Sequence, residues 1–340
     1  MTAAAKPTST AFTDIDYDRP GKQVGFIMIP HSPHDDAWGV TRVPVAVIAN
    51  GQGPTVIIEG GNHGDEYEGP ITLGHLIREL DPKTIQGRLI IIPAINQPAV
   101  AAGQRVSPDD GKNFNRTFPG SPTGTVTEQI SHYVDSVLFP MADAFIDLHS
   151  GGSSLALTPS AIIEPARDPA LMKRNIDAVL AFNAPISVVI GNFGDPRTST
   201  ATSVRHGLTT VGTEMAGGGT VSPEALKICK RGVQNVLAHL GVLPGKKPEP
   251  AAPTRLMQIP GNGHVFATAD GIFEPFHVNG AEVRQGEPAG QIHFLTNPGR
   301  TPEVLRYRTD GIVYGRRQPG LVKPGNCCMV VVTPFEGQLG

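Results

Sequence analysis

Residues 55–70 read TVIIEGGNHGDEYEGP, and the fold follows from how this stretch divides. Val56, Ile57 and Ile58 are apolar and β-branched in succession, the pattern of a strand buried on both faces. Gly60 and Gly61 end the run. His63, Asp65, Glu66 and Glu68 then crowd into six residues. Beyond them Ile71, Leu73, Leu76, Ile77 and Leu80 recur at helical spacing, and Pro82 stops the pattern. Strand, glycine turn and helix make one repeat unit of an open α/β sheet. Its polar residues lie at the carboxyl end of the strand, where such sheets build their sites. A polar loop in that place either caps the next helix or forms half of a metal site.

The same alternation extends over residues 22–241. VGFIMIP, VPVAVIAN, RLIIIPAI, DAFIDL, PISVVIG and LTTVGTEM read as strands. TEQISHYVDSVLFPM, DPALMKRNIDAVLAF and SPEALKICKRGVQNVLAHLG read as helices. The last has Ser222 at the N-cap, Pro223 at the first helical position and Gly241 past the end. The expected fold class is therefore α/β, a mixed sheet flanked by helices on both faces. PGKKPEPAAPTR then forms a proline-rich linker without an apolar face. After it the helical pattern vanishes. Two segments, from Asp270 and from Asp310, each start Asp-Gly-Ile, turn, and end in an apolar strand. That weak repeat predicts a small all-β barrel or sandwich resembling biotinyl and lipoyl domains. The hairpin tip near HVNGAE lacks their modified lysine, which makes it an accessory unit and not a carrier. The expected division is 1–243, a linker over 244–255, and 256–340.

The bulk numbers exclude several classes. With 340 residues and a net charge of −3, the chain has no basic excess for general nucleic-acid binding. No apolar run approaches the roughly 20 residues that span a bilayer, and the first 20 residues contain no signal-peptide core. The expectation is a cytoplasmic protein without a membrane partner; a homo-oligomer is left open. Cys229, Cys327 and Cys328 lack zinc-finger spacing and read as reduced, structural thiols.

Three loops at strand ends carry chemistry: NHGDE after TVIIEG, DLHSGG after DAFI, and GTEMAGGG after LTTV. If those strands are neighbours, His63, Glu66, His149 and Glu214 face one another. Two histidines and a carboxylate are the ligand set of many hydrolytic zinc sites, with a fourth position left open. His63 and Glu66 are three residues apart and can point the same way from one turn. Nickel and cobalt also accept this set. A second carboxylate is then needed to shuttle protons without ligating, and Glu214, ending an apolar strand, fits that place. The long loop at residues 96–120 supplies Arg105, Asn113, Asn115 and Arg116. Beside a metal, one arginine has a substrate carboxylate to neutralise and the other an oxyanion to stabilise.

Together GGNHGDE, the NFNRTFPG loop, DLHSGG and GTE resemble the succinylglutamate desuccinylase/aspartoacylase family, a branch of the zinc carboxypeptidase-like fold. That resemblance implies one Zn²⁺ per chain on His63, Glu66 and His149. It implies Glu214 as general base and acid, Arg105 as oxyanion stabiliser, and Asn115 with Arg116 as holders of the substrate carboxylate. It implies hydrolysis of the amide bond of a small N-acyl amino acid. HDDAWG, GGNHGDEYEGP and GTVTEQI are most similar to a bacterial subgroup that deacetylates Nα-acetyl-2,4-diaminobutyrate in ectoine breakdown. For such a cationic substrate, Asp35, Asp36, Asp65 and Glu68 are the candidate partners of the amine. Competing expectations are a deacylase of another acyl amino acid, a peptide carboxypeptidase, and a metal-binding regulatory or carrier protein.

Overall fold

The computed structural model describes residues 9–337; the first eight residues of the segment searched for a signal peptide lie outside it. Its central strands are Gly87–Ile92, Thr55–Gly60, Ala144–Leu148 and Thr209–Glu214, adjacent in that order and parallel. An antiparallel hairpin, Gly21–Pro30 with Val40–Asn50, extends one side. On the other side Ser160–Ile163 pairs antiparallel with Thr209–Glu214, followed by Ile186–Val189 and Arg255–Gln258. The expected mixed α/β sheet is what forms.

Alternation along the strands divides the core into two faces. Val56, Ile58, Leu89, Ile91 and Ile146 point one way, against Leu73 and Leu76 of helix Glu68–Glu79. Phe182 of Pro169–Phe182 and Ile228 and Val236 of Pro223–His239 complete that layer. Ile57, Ile90, Ile92 and Phe145 point the other way, against Val126, Ile130 and Tyr133 of Val126–Tyr133. All of these strand residues are buried, which is why the strands read as continuous apolar runs. Ser222 caps its helix as expected, its Oγ accepting from Ala225 N at 3.2 Å.

The loop over residues 96–120 is more ordered than its sequence suggested. Gln97–Ala102 is a short helix with Pro98 in its first turn and Gly103 in the left-handed conformation at its end. Six residues give too few periods for a hydrophobic pattern to register, so the helix was not legible. Its packing against the next turn explains a glycine. A Cβ on Gly64 would lie 1.8 Å from Ala99 O, while Gly64 N donates to Gln104 O at 2.8 Å.

The C-terminal repeat has a structural counterpart. Gly271 and Ile272 of the first copy pair with Val322 and Leu321 of the second. Gly311 and Ile312 of the second pair with Val283 and Glu282 of the first. Each copy thus lends its short strand to the other, around a core that includes Phe273, Val283, Val313 and Val322. The main sheet continues into this part, because Arg255–Gln258 also pairs with Cys327–Pro334. The proline-rich segment is tied down rather than free. Asn183 bonds Ala251 N and Ala252 O, and Asn235 bonds the backbone of Glu249. Among the described residues no helix is long and apolar enough to cross a membrane.

Candidate functional site

Because Thr55–Gly60, Ala144–Leu148 and Thr209–Glu214 are neighbours, their carboxyl ends bring three distant loops together. Glu66 stands between two imidazole rings. Its Oε1 is 2.7 Å from His63 Nδ1 and its Oε2 is 2.8 Å from His149 Nδ1. The rings are 5.0 Å apart at their centroids. All three residues are buried, with one ligand atom from each lying within 4.8 Å of the others. Ser150 N donates to Glu66 Oε2 at 3.0 Å, while His149 N and Met215 N tie the second and third loops together. The helix Glu68–Glu79 begins at Tyr67 with no side-chain cap. The polar residues before it are therefore not a helix cap.

The donor set fits a metal ion. Each ring has its far nitrogen engaged: His63 Nε2 lies 3.1 Å from Asn113 Oδ1, and His149 Nε2 lies 2.9 Å from Asp147 Oδ2. These acceptors place the ring protons on Nε2. The Nδ1 lone pairs then face the Glu66 oxygens, acceptor against acceptor. A cation among them, or a second proton on each ring, resolves that conflict. Two imidazole nitrogens and a carboxylate are the donors that zinc takes in hydrolytic sites.

The electrostatics of the centre are uneven. Burial alone would raise the pKa of Glu66, but His63 and His149 outweigh it and hold the carboxyl well below the usual range. Burial lowers the pKa of His63. At His149 the carboxylates of Asp147 and Glu66 overcome burial and lift the pKa well above the ordinary value. Burial, with the charge of Glu66, pushes Glu214 up to about 8. Glu214 Oε2 has no hydrogen-bond partner although it is enclosed.

A cavity of about 280 Å³ is lined by His63, Glu66, Arg105, Asn115, Arg116, His149 and Glu214 together. Arg105 stands at its rim, Nη1 3.4 Å from His63 Nδ1. Asn115 is buried; its Nδ2 lies 3.4 Å from His149 Nε2, and its Oδ1 accepts from Ser199 N at 2.8 Å. Arg116 is held by Asp195, Nε to Oδ2 at 3.2 Å, and donates Nη1 to Asn115 O at 2.6 Å. The four acids expected to meet a substrate amine are elsewhere. Asp65 Oδ2 accepts from Ser153 N and Oγ, both at 2.7 Å, and Glu68 Oε1 accepts from Ser222 N at 2.8 Å. Asp35 and Asp36 lie on an exposed loop. None of the four lines this cavity.

Sequence reasoning missed the residues that orient the centre. Asp147 had a signal, standing near the end of the strand Ala144–Leu148, two residues before His149, the spacing that returns an extended chain to the same face. Ser199, whose Oγ donates to Asp147, and Asp195 had none, since they arrive from a separate loop and the short helix Ser199–Arg205. Behind Ser199, Thr200 Oγ1 donates to the buried Glu164 at 2.9 Å, and burial pushes Glu164 up to about 7 from the ordinary 4.5. A carboxyl raised in this way holds its proton in the folded chain after the unfolded chain has released it. Its cost is absent below pH 4.5, grows through the interval up to 7, and is complete above it, at about 3 kcal/mol. Glu164→Gln should therefore match the wild type in denaturant unfolding at pH 4.5 and exceed it by roughly that amount at pH 8. A difference that does not change with pH contradicts the assignment.

Comparison with known proteins gives the chain its family. The catalytic-domain description "Succinylglutamate desuccinylase/Aspartoacylase" matches residues 52–240. The chain belongs to the succinylglutamate desuccinylase/aspartoacylase family. Both activities in that name are deacylations, so the chain is an amide-hydrolysing deacylase. The chain is similar to the N-alpha-acetyl-L-2,4-diaminobutyric acid deacetylase of Halomonas elongata, 38% identical over 95% of this chain and 94% of that one. A succinylglutamate desuccinylase/aspartoacylase crystal structure from Rhodobacter sphaeroides is 44% identical, with a TM-score of 0.92 over 96% of this chain and 100% of that one. The product-bound ectoine utilization protein EutE of Ruegeria pomeroyi is 40% identical, with a TM-score of 0.92 over 95% and 98% of the two chains.

Proposed function

We propose that this chain is a zinc-dependent deacetylase of Nα-acetyl-2,4-diaminobutyrate, acting in the cytoplasm on that small molecule. The observation that carries the proposal is one cavity joining the His63–Glu66–His149 donors to Arg105, Asn115, Arg116 and Glu214. The Halomonas elongata relative supports the choice of substrate. Residues 1–243 form the hydrolase domain, and residues 256–340, after the linker over 244–255, an accessory domain.

His63, Glu66 and His149 would hold the metal. When bound, zinc lowers the pKa of a water from 15.7 to about 7 and polarises a carbonyl oxygen. Glu214 moves the protons. Its unpartnered Oε2 takes one from the attacking water and returns it to the leaving amine nitrogen as the C–N bond breaks. Burial, with the charge of Glu66, raises its carboxyl above the ordinary range, which favours its holding a transferred proton. Arg105 faces the oxygen that gains charge. Arg116, steadied by Asp195, and Asn115 hold the carboxylate of the amino acid. The ion pair with Asp195 aligns the guanidinium before substrate arrives.

Acetate release by the zinc-loaded protein tests the proposal. Nα-acetyl-2,4-diaminobutyrate should be cleaved with a higher kcat/KM than N-succinylglutamate, N-acetylaspartate or a tripeptide. No release with zinc present, or preference for a tripeptide, overturns it. The acceptor that anchors His149 gives a separate check. Asp147→Asn should weaken zinc binding about 10- to 100-fold in competition with a chelator. Unchanged affinity would remove Asp147 from the centre.

A further inference from the structure

A second cavity of about 420 Å³ lies against the first. The two share Leu155, Leu157, Ile190 and Glu214. Beyond that common wall the second is largely apolar, closed by Val189, Ile259 and Val330 from three strands or their ends. Tyr314 contributes its ring, while its hydroxyl is already bonded to Ser160 Oγ at 2.7 Å. At the rim Phe193 is 87% exposed and holds a left-handed backbone (φ 57°) between Gly191 and Gly194. Its ring lies 5.0 Å from His264, which stacks on Phe266. A bulky residue at positive φ is sterically costly, and such strain gathers at ligand sites.

An acetyl group leaves this volume unused. The amino-acid end of the substrate carries a carboxylate and an ammonium, and both would lose hydration in an apolar chamber. Only the acyl end is uncharged. We propose that the second cavity is an acyl-chain subsite, and that the enzyme also hydrolyses N-acyl amino acids whose linear apolar acyl chains are longer than acetyl. The inference rests on the deacylase function proposed above. The chemistry balances as before: water adds its oxygen to the acyl carbon, the C–N bond breaks, and the proton carried by Glu214 goes to the amine. The products are an alkanoate and a free amino acid.

Each methylene taken from water into the chamber should raise kcat/KM roughly fourfold, so hexanoyl should exceed acetyl by on the order of 100-fold. The test compares acetyl- and hexanoyl-2,4-diaminobutyrate with wild type and two filled variants. A Cβ on Gly261, which lines the chamber, meets no atom within 4 Å, so Gly261→Phe adds a ring without an initial clash. Ile259→Phe fills from the neighbouring position. Both variants should keep acetyl turnover and lose the gain from hexanoyl. A wild type that prefers acetyl, or a hexanoyl gain that survives both substitutions, overturns the subsite. If neither amide is cleaved, the proposed function fails on its own account, and calorimetric titration of the zinc-loaded protein decides the subsite. Hexanoate binding more tightly than acetate to wild type but not to Gly261→Phe upholds it; equal binding of the two overturns it.

Discussion

Glu214→Ala is expected to keep its zinc and lose its catalysis, with kcat falling about 10²- to 10⁴-fold, the range for removal of a general acid–base. The expectation follows from where the residue sits. Glu214 ends the strand Thr209–Glu214 and lines the cavity, yet it is not one of the three residues whose ligand atoms cluster within 4.8 Å. The metal donors therefore remain after its removal. Asn115 and Arg116 also remain, so KM should change little. Glu214→Gln, close in shape, separates lost proton transfer from lost packing, and it should be as inactive as the alanine variant. Elemental analysis and acetate release on the same preparation check both halves. Retention of more than about a tenth of wild-type kcat would assign the proton transfer to another group.

His149→Ala should have the opposite signature, with zinc and activity lost together. The ring supplies one of the three donors clustered among the described residues, and two donors do not make the tetrahedral site that hydrolytic zinc occupies. Its removal also takes one of two partners from Asp147 Oδ2, which is fully buried and keeps only the bond from Ser199 Oγ. Losing one hydrogen bond to a buried charged group costs about 1.5–3 kcal/mol, so the variant should unfold at lower denaturant than wild type. The backbone bonds of His149 to Thr213 and Met215 persist, which argues for a folded variant. About one zinc per chain in wild type and little in His149→Ala is the expected result. Full zinc in the variant would move the metal away from these loops.

Much of this arrangement was legible in advance, for local reasons. The run Val56-Ile57-Ile58 marks a strand covered on both faces, because alternate side chains enter the two separate cores. Ser222, Pro223 and Gly241 delimit a helix because their roles are set by their own backbone geometry. The candidate metal-binding trio stood out because His63 and Glu66 are three residues apart and His149 follows an apolar strand. The acids expected near a substrate amine stand outside the cavity for a different reason. Asp65 and Glu68 carry charge near the motif, but the backbone of Ser153 and Ser222 had already claimed them. Charge in sequence does not say whether a carboxylate faces substrate or a neighbouring amide.

By itself, then, the sequence determined which of the longer segments are strand, turn or helix, and which strand ends carry side chains able to ligate a metal. Periodicity, glycine and proline act over a few residues, and a single chain displays them in full. Only the tertiary structure decided which strands are neighbours, that Asp147, Asn113 and Ser199 fasten the two histidines and Asn115, and that Asp195 holds Arg116. It also decided that the C-terminal strands close an apolar chamber beside Glu214. These are contacts between residues far apart in the chain. They depend on sheet order and on the competition of every buried polar group for a partner, and neither is written in any one segment.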